Sequence, residues 1–235
     1  MLKHMSDRTV IWAGPTATTV EGLRERKKRR LRQQLSDTAT EMFMERGFDA
    51  VRVTEIAEAC GVSEKTVYNY FPTKESLILD RWDATMTSLR TGLADPATSP
   101  VDAAMRILAA ELEALAAWIA TQADPVAASA SIRRFGELLR ATPALRAHQR
   151  DVTDQLTEAA AATMAQGAGM NADDPEPRIA AIALLGLWDI QSRGLNRYLD
   201  GTRTPTQLHE AVTADVRRAA DLIAAGLDSF PRRPA

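Results

Sequence analysis

The chain has 235 residues, 45% of them hydrophobic, which is enough apolar material for one large domain or two small ones and excludes disorder throughout. A net charge of −2 excludes a polycation, and the single cysteine, Cys60, excludes an intramolecular disulfide framework, so a reducing cytoplasm fits. The longest strongly apolar stretch, Ile179 to Trp188, is about half of the roughly 20 residues that span a bilayer, and no charged-then-apolar leader is read at the start, so no membrane association is expected.

Residues 1–23 mix polar side chains with Gly14 and Pro15, lack periodicity, and are expected to form a flexible arm. Between Arg24 and Arg32 seven residues are basic and one is acidic, and all five lysines lie at or before Lys74. Alone, such a run is as well explained by a solvated face as by a polyanion partner. From about Arg26 the pattern turns helical, with Leu31, Leu35, Ala39, Met42 and Phe43 on one stripe and Gly47 just past the end. Ile56, Ala57 and Cys60 make a second, short apolar face that stops at Gly61, and Ser63 stands where the N-cap of a third helix belongs, with Pro72 ending it.

Thr73 can cap a fourth helix running from Lys74 through Leu77 and Trp82 to about Gly92, where "DPATSP" breaks the chain. Val101, Met105, Leu108, Leu112, Leu115 and Ile119 step at helical spacing, as do Ile132, Phe135 and Leu139; Leu145, Val152, Leu156 and Met164 form a sparser stripe. After "GAGMNADDPEP" comes a helix apolar on nearly every side, Ile179 to Leu199, and then a final stripe of Leu208, Val212, Val216, Ile223 and Leu227. The fold class is therefore all-α, with no strand and no internal repeat.

A short helix, a tight turn with Gly61 and a second short helix form a helix-turn-helix, whose second helix can lie in a DNA major groove. Phosphates flank such a helix on both rims, so hydroxyls and lysines at its ends grip the backbone while interior side chains meet base edges. Ser63, Thr66, Tyr68, Tyr70 and Lys74 suit the rim, whereas Lys65 can donate to guanine and Asn69 can pair bidentately with adenine. Val67 and Phe71, at i and i+4, are read as core; Glu64 strengthens the helix start. Tyr68 and Tyr70 have a competing reading as packing aromatics.

The stretch "VTEIAEACGVSEKTVYNYFPTKESLI" resembles the TetR family of bacterial regulators, with Gly61, Val62, Ser63, Thr66, Tyr68, Tyr70, Phe71 and Lys74 on its motif. The likeness of residues runs from about Leu31 to Leu79, and beyond it the match is one of helix order. It implies an N-terminal three-helix helix-turn-helix DNA-binding domain over 24–73, then a helical effector-binding and dimerisation domain over 74–229, with 74–92 as connector and 230–235 as a tail. One departure is Arg52, where the family usually has a capping threonine; Arg52 could instead reach a phosphate, and Arg52 and Thr54 complete the candidate DNA contacts.

Trp118, Phe135, Trp188 and Gln191, with Asp189 and Arg193, are candidates for a ligand pocket that combines apolar walls with a few polar anchors; core packing is the competing reading for each aromatic. The small residues of the last two helices would let partner helices approach closely, as in a dimer bundle. The scattered His4, His148 and His209, the lone cysteine and the lack of a phosphate-cradling glycine loop give no catalytic, metal or cofactor site. The expected partners are double-stranded DNA at a palindromic operator, a small-molecule effector and a second copy of the chain; a helical protein-interaction module that no longer binds DNA is the alternative.

Overall fold

A computed structural model describes residues 22–78, 82–95 and 97–227, and the side chains of 82–84 and 227 are not described. The expected arm, apart from its last two residues, and the expected tail lie outside these limits. The described residues are helical, as the sequence pattern requires: α1 (Leu23–Arg46), α2 (Val53–Ala59), α3 (Glu64–Tyr70), α4 (Trp82–Leu93), α5 (Pro100–Thr121), α6 (Pro125–Ala141), α7 (Pro143–Ala168), α8 (Pro175–Tyr198) and α9 (Pro205–Leu227). A proline opens each of α5 to α9, where its fixed φ suits a helix start and its missing N–H costs no intrahelical bond.

The described residues form two compact units, 22–78 with 134–149, and the described parts of 82–133 and 150–227. The first unit is built on α1, whose Leu35, Ala39 and Phe43 are fully buried at helical spacing. The helix stops at Gly47, where φ of +85° favours glycine and the amide closes onto Phe43 O. Gly61, at φ +68°, makes the turn between α2 and α3 for the same reason. Val53, Ile56 and Ala57 of α2, and Val67 and Phe71 at the end of α3, bury against the α1 stripe. Phe71, preceding Pro72, is extended at φ −135° and ψ 103°, which ends α3.

The division differs from the sequence-based boundaries in two respects. Residues 134–149 belong with the first unit: Leu145 is fully buried in its core, and Phe135, Leu138, Leu139 and Ala144 pack against that core. The segment read as one helix from Lys74 to Gly92 contains a 3-10 turn, Glu75–Leu77, before α4 begins at Trp82. The tight turn follows from reciprocal bonds between Thr73 and Ser76, each side-chain oxygen accepting the other's amide at 3.1 and 3.2 Å, while Ser36 Oγ donates to Leu77 O at 2.8 Å.

In the second unit α5 is central, packed by α4, α8 and α9, and α8 also lies along α9. Ser99 caps α5 by accepting from Asp102 N at 3.0 Å. The stripe Val101, Leu108, Leu112, Leu115 and Ile119 is buried, as are Leu208, Val212 and Val216 of α9. A close approach sets the α8–α9 spacing: a Cβ on Gly194 would lie 3.4 Å from Val212 Cγ1.

Candidate nucleic-acid interface

Helix α3 is held from beneath and open above. Val67 and Phe71 are buried in the first unit's core, so the residues between them must point elsewhere. Ser63, Glu64, Lys65, Tyr68 and Asn69 are exposed, Tyr68 at 45%, while Thr66 and Tyr70 are half-buried. An aromatic left nearly half exposed on a short helix offers ring face and hydroxyl to a partner.

The start of α3 is capped by Ser63, whose Oγ accepts Thr66 N at 3.1 Å and lies 2.8 Å from Thr66 Oγ1. Two hydroxyls sharing one hydrogen bond keep a second O–H that can donate outward, as a phosphate rim contact requires. The far end is fixed by Arg32, whose Nη1 donates to Tyr70 O at 3.0 Å and whose guanidinium stacks 4.8 Å over the Phe71 ring. The last arginine of the basic run is thus partly spent on positioning α3. Arg24, Arg26, Lys27, Lys28 and Arg30 are exposed on the first turns of α1.

Arg52 occupies the N-cap of α2 and, as an arginine, has no acceptor to offer the helix. Glu55 supplies what the missing threonine would not: its Oε2 accepts Arg52 N at 2.8 Å and its Oε1 accepts Arg46 Nη2 at 2.8 Å. These bonds, first the Arg52 amide and then Arg46, hold the Glu55 carboxyl down to about 2. Sequence reasoning missed Glu55, although a glutamate three residues after an N-cap is a visible signal. The Arg52 side chain stays 79% exposed, and Thr54 is half-buried.

Lys74 is where the geometry departs most from a simple rim contact. Its Nζ donates to Phe48 O at 2.6 Å and stands 4.3 Å from the Phe48 ring centroid and 5.5 Å from that of Phe43. Burial pushes its pKa down, opposed by the charges of Asp49, Glu75 and Glu55. Its first use is therefore to close the loop after α1.

The four candidate ligand residues are divided between the two units: Phe135 belongs to the first, and Trp118, Trp188 and Gln191 belong to the second. Phe135 packs on the first unit's core. In the second unit Trp188 Nε1 donates to Glu111 Oε2 at 3.1 Å, and Glu111 Oε1 accepts Thr85 Oγ1 at 2.9 Å, tying α8, α5 and α4 together. Trp118 is half-buried on α5, seven residues or about 10.5 Å of helix beyond Glu111. Gln191, one turn after Trp188, is 7% exposed. Asp189 and Arg193 pair with each other at 2.6 Å on the surface. Among the described residues no cluster of three or more His, Cys, Asp or Glu could hold a metal ion, and no helix is long and apolar enough to cross a membrane.

A helix-turn-helix with an open recognition helix, followed by an all-helical unit, defines a DNA-binding transcription regulator. Residues 35–80 match the model for bacterial regulatory proteins of the tetR family, and residues 120–228 match that for the MftR C-terminal domain. The chain belongs to the TetR family. It is 28% identical over 195 residues to MftR of Mycobacterium tuberculosis, named as a mycofactocin biosynthesis transcriptional regulator, covering 83% of this chain and 89% of that protein. Likeness to the regulator TcmR of Streptomyces glaucescens is 43% over 58 residues, only 26% of that protein's length and 25% of this chain. Among solved structures, Pseudomonas aeruginosa NalD, described as the secondary repressor of the MexAB-OprM multidrug efflux pump, is 23% identical with a TM-score of 0.48, covering 81% of this chain and 96% of that one.

Proposed function

We propose that the protein works in the cytoplasm as a homodimeric repressor, bound to a palindromic operator and released from it by a small, largely apolar effector. The observation that carries this reading is the outward face of α3, where Lys65, Tyr68 and Asn69 are exposed above a buried Val67 and Phe71. Lys65 and Asn69 read base edges; Ser63, Thr66, Tyr68, Tyr70, Arg52 and Thr54 hold phosphates, joined by Lys74 through donors not used on Phe48. Dimerisation through α8 and α9 accounts for Ile179, Ile182 and Leu222, which are 61%, 49% and 79% exposed. Beside them the missing Cβ atoms of Gly186 and Gly226 would meet nothing within 4 Å, leaving room for a partner helix. A twofold dimer would set its two recognition helices about 34 Å apart, one turn of DNA. Trp118, Trp188 and Gln191 of the second unit are the effector contacts in this reading.

Selection from a random duplex pool tests it. The expected product is a palindrome, and Lys65→Ala or Asn69→Ala should relax preference at particular bases by about 1 to 3 kcal/mol each. Variants that keep the parental preference would move base reading to other residues. A pool that yields no preferred sequence would favour the helical interaction module.

A further inference from the structure

A seven-residue helix is marginal by itself, so the direction in which α3 presents its side chains depends on what fixes its two ends. The first end is closed by the Ser63–Thr66 cap. At the other end the last carbonyls need partners, and the usual source is the amide of the residue just past the C-cap. Here the C-cap is Phe71 and the residue past it is Pro72, which has no N–H to give.

Arg32 supplies a donor from another helix. Its Nη1 donates to Tyr70 O at 3.0 Å in a partly buried bond, and its guanidinium lies 4.8 Å over the ring of Phe71, which is 1% exposed. One planar group thus holds two consecutive residues, donating from its edge and stacking by its face. Helix α1, which carries Arg32, is itself anchored in the same core by Leu35, Ala39 and Phe43. Asn69 and Tyr70 therefore project from a turn tied to α1, whereas Lys65, about 6 Å back along the axis, rides on the turn that Ser63 caps.

We infer that Arg32 is a positioning residue for DNA recognition, which sets the base preference of Asn69 without touching the DNA. This rests on the base-reading role given to Asn69 above and adds the residue that aims it. A bidentate pair with adenine needs both atoms of the Asn69 amide in register with N6 and N7, so a shift of the last turn costs preference at that base first. A phosphate contact by Arg32 would act differently. Losing a cation from the rim weakens all sequences alike and lowers the slope of log K against log salt by about 0.9.

The test uses the full chain with Arg32→Met and Arg32→Lys, each measured well below its own melting temperature. The probes are the duplex selected by the parent from a random pool and its single-base variants, titrated at several salt concentrations. Asn69→Ala identifies the base that Asn69 reads. Arg32→Met should reduce preference at that base by about fivefold or more, keep preference at the base read by Lys65, and leave the salt slope at the parent's value. Arg32→Lys, which restores a donor but not the plane, should fall between the two. A slope smaller by about 0.9 with preference intact would overturn the inference and make Arg32 a phosphate contact. A lower melting temperature with preference and slope both intact would overturn it too, leaving Arg32 to packing alone. Should Arg32→Met fail to fold, Arg32→Lys decides by the same measures, and full retention of the Asn69 preference overturns the inference. A parent pool with no preferred sequence would instead overturn the DNA-reading assignment on which it rests.

Discussion

Lys74 shows how one side chain on a recognition motif can serve the fold before it serves the ligand. The Phe43 and Phe48 rings lie 4.9 Å apart, and the ammonium that covers them also meets Phe48 O at 2.6 Å. Removing it leaves a carbonyl of a buried residue unmet and strips a cation from two ring faces. Lys74→Met, which keeps the aliphatic stem, should therefore lower stability by about 1.5 to 3 kcal/mol, the range for a hydrogen bond to a charged group. Denaturant unfolding measures this directly. Operator affinity, measured well below the unfolding midpoint, should drop uniformly across sequences if the remaining N–H donors reach a phosphate. Unchanged stability would mean that the Phe48 contact is dispensable, and that Lys74 belongs to the DNA alone.

At the scale of the element, α2 starts with only the carboxylate half of a capping box, Glu55 accepting the Arg52 amide. The Glu55 carboxyl is held at about 2, below the ordinary value of 4.5, by the Arg52 amide and then by Arg46. A group depressed on folding stabilises the native state above its unfolded pKa and loses that contribution as pH falls through its folded one. The parent should thus lose stability relative to Glu55→Gln between about pH 4.5 and 2, and the gap between them should be widest near neutrality. Parallel melting curves at several pH values decide it; a gap independent of pH would put the cap elsewhere. The start of α3 was legible because Ser63 caps with its own side chain, and Gly47 and Gly61 were legible because each turn needs a positive φ. Leu145 was not legible as part of the first unit. Its stripe reads as one amphipathic helix continuing to Met164, and period alone does not say that a helix serves two cores along its length. The roles of the aromatics were not legible either: Phe135 and Trp188 look alike in sequence, and only packing separates an aromatic laid on the first unit's core from one whose indole meets Glu111.

For the whole molecule, charge is the property that a net −2 conceals. Arg24, Arg26, Lys27, Lys28 and Arg30 crowd the first turns of α1 with one acid, Glu25, for company. Cations in the first turn of a helix oppose the macrodipole, so Arg24 and Arg26 are mildly unfavourable there in the free protein. A polyanion arriving there reverses the sign, because both the side chains and the helix end then attract it. The run is helical as far as Leu23, which gives it a fixed direction that a mobile arm would lack. Replacing Arg24, Arg26, Lys27, Lys28, Arg29 and Arg30, all exposed, with glutamine preserves helix propensity and removes charge. Affinity for operator and for random duplex should then fall together, and the slope of log K against log salt should shrink by about 0.9 for each phosphate no longer neutralised. Site preference should stay the same, since phosphate contacts carry no sequence information. A slope equal to the parent's would assign the run to a solvated helix face, and the grip on DNA would then rest on α2 and α3 alone.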